Sequence, residues 1–74
     1  MRPPDFLQEG IEDLDRALTL DAEYDDAMAY LNLLYRAKSE LEDSAQGYRD
    51  DVAAADMWFQ KTLDTRQGKG LRPQ

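Results

Sequence analysis

The acidic side chains are the main candidates for chemistry in this sequence, because it contains no histidine and no cysteine. Neighbouring carboxylates can act as general acids and bases or bind calcium. Two acidic runs are dense enough to be considered, Glu40, Glu42 and Asp43 in the first and Asp50 and Asp51 in the second. A calcium loop needs oxygen ligands at alternating positions around a turn glycine, and neither run has that pattern. We interpret both runs as solvated helix ends and predict no catalytic residue, no metal site and no cofactor.

The missing residue types also limit the class of protein. Without cysteine and histidine the chain has no thiol nucleophile, no disulfide, no zinc site of the usual kind and no histidine base. A chain of 74 residues forms one domain, and a domain of this size buries only about 60% of the surface that its unfolded form exposes. The sequence therefore predicts a thin core and a protein that is not an enzyme.

Charge is distributed unevenly along the chain. Residues 1–64 hold all 16 acidic groups against 6 basic ones, a balance of −10, whereas residues 65–74 hold three basic groups and no acid. An acidic body repels phosphate backbones, so we predict no nucleic-acid partner. No apolar run approaches the roughly 20 residues that span a membrane. The compartment stays open: a soluble protein of the cytoplasm, or of the periplasm if a longer parent protein carries a signal peptide.

The elements that must position any binding residue are helices, because apolar residues recur at intervals of three and four. We predict an all-α fold of three antiparallel helices over about residues 6–20, 26–42 and 45–66. They form a single helical domain at residues 1–66, followed by a disordered basic tail at 67–74. The middle segment is apolar nearly all the way round, which predicts a central helix with neighbours on two sides. Ser44 is the predicted N-cap of the third helix. The apolar stripe of that helix consists of Tyr48, Val52, Ala55, Phe59 and Thr62.

Two segments carry a resemblance to tetratricopeptide repeats. Residues 17–24 read ALTLDAEY, which resembles the family's A-L-x-L-D-P helix ending with Ala22 in place of the proline. Residues 58–63 read WFQKTL and are similar to the family's aromatic-x-K-A-L ending. The chain looks like about one and a half repeats, similar to the C-terminal repeat of uncharacterised bacterial proteins of this family. The resemblance implies that the following residues pack the repeats: Gly10, Leu14, Ala17, Met28, Leu31, Tyr35, Ala55, Phe59 and Thr62.

The resemblance also implies a partner-binding surface. In tetratricopeptide proteins the first helix of each repeat lines a concave groove that binds peptides. Transferred to this chain, that surface consists of Ala29, Tyr30, Leu33, Arg36 and Ala37. The expected function is then a non-catalytic scaffold for protein–protein interaction, forming part of a larger repeat protein. Two alternatives stay open: a self-associating helical mini-protein whose partner is itself, and an acidic regulatory or inhibitory protein.

Overall fold

Within the part of the chain that the structure describes, the regular structure consists of three α-helices. The computed structural model describes residues 6–71, and that range contains no strand. Helix α1 spans Phe6–Leu20, α2 spans Asp25–Ser39 and α3 spans Ala45–Leu71. The predicted all-α fold of three helices is confirmed. Residues 1–5 of the predicted domain and residues 72–74 of the predicted tail lie outside the described residues.

The bounds of α1 agree with the prediction, whereas α2 ends earlier than expected. It ends at Ser39 instead of residue 42. Beyond it, the amide of Leu41 donates to the carbonyl of Lys38 at 3.0 Å, and the amide of Glu42 donates to the carbonyl of Ser39 at 3.3 Å. Such bonds, made to the third residue back, tighten the chain into a turn at a helix end. The polar sequence after residue 39 therefore forms a turn and not a further turn of α-helix.

Helix α3 begins as predicted, with Ser44 as its N-cap. The Ser44 hydroxyl oxygen accepts a hydrogen bond from the Gly47 amide at 2.9 Å. Gly47 also gives room to Glu42, because a Cβ atom at position 47 would collide with the Glu42 carboxylate. The sequence Ser44 to Gly47 therefore both starts the helix and lets the preceding turn fold close beneath it.

The C-terminal part of α3 is longer than predicted. The helix continues from the predicted end at residue 66 to Leu71, so the prediction of a disordered tail is wrong for residues 67–71. No glycine among the described residues has a positive φ angle, and Gly68 is helical instead of acting as a left-handed cap. Glycine costs about 1 kcal/mol relative to alanine within a helix. Ion pairs of Arg66 and Lys69 with Asp25 of α2 offset that cost.

Helix α2 lies between α1 and α3, as predicted. Within residues 6–71, α2 contacts both other helices, and α1 and α3 do not contact each other. The chain measures 50 × 23 × 13 Å along its principal axes. Three helices side by side at interaxial distances of about 9 Å would measure about 23 Å across their backbones. The helices therefore form a single row, and among residues 6–71 no further helix covers the side of α2 that points out of that row.

The core is small because each outer helix has only one neighbour. The buried apolar residues are Ile11, Ala27, Met28, Leu31 and Ala55, of which Leu31 is 0% exposed. Two of these five residues are alanines, which bury little apolar surface. The core therefore depends strongly on Ile11 and Leu31, the largest fully buried side chains.

Most of the predicted packing positions lie toward a neighbouring helix. Met28, Leu31, Ala55 and Thr62 are buried, and the half-buried positions are Gly10, Leu14, Ala17 and Tyr35. The prediction for Phe59 is wrong, because its side chain is 50% exposed. Of the helices in residues 6–71, α3 packs on α2 alone, and Phe59 is rotated about 40° around the helix from Ala55. It therefore lies at the edge of the contact, as does Tyr48, which is 51% exposed.

Gly10 lies at a close contact between α1 and α2. A Cβ atom at position 10 would lie 3.1 Å from Cδ1 of Leu34, closer than ordinary van der Waals contact. The absence of a side chain at Gly10 therefore gives room to Leu34 of α2.

Candidate interaction face of helices α2 and α3

The predicted partner-binding residues lie on the side of α2 that neither α1 nor α3 covers. Tyr30 is 60% exposed and Leu33 is 57% exposed. Arg36 and Ala37 are also exposed, and Ala29 is half-buried. All five residues are therefore available at or near one surface, as expected from the helical spacing.

Helix α3 extends this surface with two large apolar side chains. Phe59 is 50% exposed and Leu63 is 40% exposed. Two shallow depressions of about 390 Å³ and 220 Å³ lie here, and Ala29 and Leu33 line both of them. We define the α2–α3 face as the apolar residues of this surface together with four charged residues at its ends: Ala29, Tyr30, Leu33, Phe59, Leu63, Asp26, Arg36, Asp56 and Arg66.

The charged residues at the two ends of the α2–α3 face form ion pairs between the helices. At one end, Arg36 Nη2 lies 3.1 Å from Asp56 Oδ1. At the other end, Arg66 Nη2 lies 3.4 Å from Asp26 Oδ1. The four side chains are between 48% and 69% exposed, and pairs this exposed contribute about 0–1 kcal/mol to stability. The ends of the face are therefore polar, electrically balanced and still open to further hydrogen bonds.

Five members of the α2–α3 face are not among the predicted partner-binding residues: the apolar Phe59 and Leu63 and the charged Asp26, Asp56 and Arg66. Phe59 was predicted to lie in the core, and Leu63 was not assigned to any surface. A stripe at helical spacing shows which residues share a side of a helix, but it does not show how many neighbours the helix has. In a single row, the stripe of α3 is wider than its contact with α2, so its edge remains exposed.

Next to the Asp26–Arg66 pair at one end of the α2–α3 face, Asp25 holds the last turns of α3 against the first turn of α2. Its carboxylate accepts hydrogen bonds from Lys69 Nζ at 2.5 Å and from Arg66 Nε at 2.8 Å. These two cations lower the pKa of Asp25 from 3.8 to about 2, and the hydrogen bond from Lys69 has the larger effect. The pairs join residues more than 40 positions apart and explain why α3 stays helical beyond Arg66.

Acid should lower the free energy of unfolding in part because Asp25 becomes protonated. Its pKa is lower in the folded chain, about 2, than the ordinary value of 3.8. Its contribution to folding is therefore complete above pH 3.8 and is lost as the pH falls toward 2. We expect the free energy of unfolding from urea titrations to fall less steeply between pH 4 and pH 2 in Asp25→Asn than in the wild type. Equal slopes would show that the ion pairs of Asp25 do not form in solution.

A second charged cluster joins the end of α2 to the start of α3. Lys38 Nζ donates to Glu42 Oε1 at 2.8 Å and to the two carboxylate oxygens of Asp51 at 3.1 and 3.2 Å. The Asp51 side chain is only 7% exposed, so the interpretation of both acidic runs as solvated helix ends is wrong for Asp51. Burial raises the pKa of Asp51, whereas the hydrogen bond from Lys38 lowers the pKa of Glu42. Lys38 lies in α2, Glu42 in the turn after it and Asp51 in α3, so the cluster holds the turn between the two helices in place. These residues line neither depression on the α2–α3 face.

The described residues contain neither a metal-binding cluster nor a membrane span. Residues 6–71 bring no three His, Cys, Asp or Glu side chains into an arrangement that could hold a metal ion. In the same range, no helix is both long enough and apolar enough to cross a bilayer.

Comparison of the chain with protein-family models, with curated proteins and with solved structures finds no match.

Proposed function

We propose that this chain is a non-catalytic, helical protein-interaction module and that the α2–α3 face is its binding surface. The observation that carries the proposal is the exposure of four large apolar side chains on one side of two adjacent helices. They are Tyr30, Leu33, Phe59 and Leu63, between 40% and 60% exposed. A contiguous apolar patch bordered by polar residues is typical of a surface that binds another protein.

The composition of the α2–α3 face supports protein as the partner class. Tyrosine and phenylalanine are enriched at protein interfaces, and arginine is the charged residue found most often there. The face combines Tyr30 and Phe59 with Arg36 and Arg66 at its ends. The overall charge of −7 opposes nucleic acid as the ligand.

The architecture supports a repeat scaffold of the tetratricopeptide kind as part of this proposal. Repeat proteins are built from helices that contact only their neighbours in the stack, and one repeat alone leaves apolar surface uncovered. In this chain α1 and α3 each contact α2 and not each other. We propose that the chain is a segment of such a scaffold and that Leu33 lies at the centre of its binding groove.

The proposal predicts that a charge at position 33 prevents binding. Peptides would be selected from a random display library on the immobilised chain and then titrated against the wild type and Leu33→Glu. We expect the affinity of the selected peptides to fall by at least about tenfold, because a buried contact of this kind is worth more than about 1.4 kcal/mol. Helicity from circular dichroism should not change, since Leu33 is 57% exposed.

Leu20→Glu is the matched control for this experiment. Leu20 is 90% exposed at the end of α1, so the variant introduces the same change of charge outside the α2–α3 face. Its affinity for the selected peptides should stay within about twofold of the wild type. Peptides that bind Leu33→Glu as tightly as the wild type would reject the assigned surface.

A further inference from the structure

Helices α2 and α3 carry the same pattern of four residues on the α2–α3 face. In each helix an aspartate is followed by an apolar residue three positions later, a leucine four positions after that, and an arginine after three more. Each residue of the second set lies 30 positions after its counterpart in the first. On α2 the four residues are Asp26, Ala29, Leu33 and Arg36; on α3 they are Asp56, Phe59, Leu63 and Arg66.

The antiparallel packing of α2 and α3 converts this repeated pattern into a two-fold symmetric surface. Arg36 of α2 pairs with Asp56 of α3, and Arg66 of α3 pairs with Asp26 of α2. The acidic end of each pattern therefore lies beside the basic end of the other. The midpoints of the two patterns, Leu31 and Lys61, consequently lie at the same level along the helices.

We propose that the α2–α3 face binds a second copy of this chain, face to face, about a two-fold axis at the level of Leu31. This inference rests on the proposed function, since it names the partner of the same surface. A two-fold interface uses one surface on both subunits, so that surface must be complementary to itself. The α2–α3 face meets this requirement in both charge and size.

Charge complementarity follows from the position of the axis. When α2 lies antiparallel on α2 of the second copy, residues at equal distances from Leu31 face each other across the interface. Asp26 then faces Arg36 of the second copy, and Arg36 faces Asp26 of the second copy. The same axis places Asp56 opposite Arg66 on the α3 helices. Arginine has five donors in its guanidinium group, so each one can keep its pair within the chain and bind a second carboxylate.

Size complementarity follows from the same positions. Leu33 faces Ala29 of the second copy, so a large side chain meets a small one. On α3, Phe59 faces Leu63 of the second copy. The four helices of the two α2–α3 hairpins then surround these apolar side chains, as the helices of a four-helix bundle surround their core. Association therefore supplies the second layer that the single row of helices lacks.

The balanced charges of the α2–α3 face permit contact between copies despite the net charge of the chain. Each chain carries a net charge of −7, so two copies repel at long range. On the α2–α3 face two aspartates are balanced by two arginines. Two copies can therefore approach there without placing unbalanced like charges against each other.

The mass of the full 74-residue chain in solution, measured by light scattering from micromolar to millimolar concentration, tests the proposal. We expect a dimer for the wild type and for Leu20→Glu, and a monomer of unchanged helicity for Leu33→Glu. Leu33→Lys alone should also be monomeric. Mixing it with Leu33→Glu should restore dimers, because opposite charges then meet near the two-fold axis.

A wild type that stays monomeric throughout this range would overturn the second copy as the partner, and so would a Leu33→Glu variant that still dimerises. The peptide titration separates this failure from failure of the proposed function. If the wild type is monomeric and Leu33→Glu still loses the selected peptides, the α2–α3 face binds a different protein. If Leu33→Glu changes neither the affinity for the selected peptides nor the formation of dimers, both proposals are wrong.

Discussion

Leu31→Ala is expected to abolish the cooperative unfolding transition of the chain. Leu31 is 0% exposed and lies in α2, the only helix that contacts both others. Shortening a buried leucine to alanine costs about 2–5 kcal/mol, because apolar contacts are lost and a cavity is left behind. A core of this size supplies only about 3–5 kcal/mol of net stability. The loss therefore approaches or exceeds the total, and urea titration followed by circular dichroism should show no sigmoidal transition.

Leu20→Ala provides the matched comparison, because Leu20 is 90% exposed at the end of α1. The same chemical change there should alter the free energy of unfolding by less than about 0.5 kcal/mol. A cooperative transition for Leu31→Ala, with a midpoint close to that of Leu20→Ala, would mean that α2 is not packed between the other two helices.

The second large effect is expected from Lys38→Met. Lys38 is the cation that neutralises Asp51, whose side chain is only 7% exposed. Methionine retains most of the length of the lysine stem but leaves the Asp51 carboxylate without its ion pair. Leaving a buried polar group without its partner costs about 1–3 kcal/mol. We expect the free energy of unfolding at pH 7 to fall by about this amount.

Two comparisons make this prediction specific. Arg16→Met removes the cation of a pair whose side chains are 74% and 70% exposed, and it should cost less than about 1 kcal/mol. The effect of Lys38→Met should also shrink toward pH 4. Burial raises the pKa of Asp51, so Asp51 takes up a proton more readily in the folded chain, and the neutral form needs no cation. A loss that is independent of pH would show that Asp51 is not the group that Lys38 stabilises.

The helices could be predicted from the sequence because their spacing is a local property. The bounds of α1 and the N-cap at Ser44 follow from neighbouring residues, and both are confirmed. The central position of α2 follows from its apolar character on all sides. These features need no knowledge of which distant residues meet.

The end of α3 could not be predicted in this way. Gly68 and the basic residues near it are typical of a disordered end, and they stay helical because Arg66 and Lys69 pair with Asp25. That pairing depends on the antiparallel register of α2 and α3, and no local sequence pattern predicts this register. The error at Phe59 has the same origin, since its exposure depends on how many helices surround α3.

The composition of the α2–α3 face was partly visible in the sequence. Leu33 and Arg36 are predicted to bind a partner because of the resemblance to tetratricopeptide repeats. The matching pattern on α3, which contributes Phe59 and Leu63, stands 30 residues later in the sequence. Its meaning becomes clear only when the ion pairs show that the two patterns lie side by side and run in opposite directions.

The central claim, that the α2–α3 face is the surface through which this chain binds protein, can be tested by methyl NMR. Spectra of the leucine methyl groups would be recorded as the chain is concentrated and as a selected peptide is added. Binding at the face predicts that the methyl signals of Leu33 and Leu63 shift, while those of Leu20 and Leu41, exposed outside the face, stay in place. Shifts confined to Leu20 or Leu41, with Leu33 and Leu63 unchanged in both titrations, would contradict the claim.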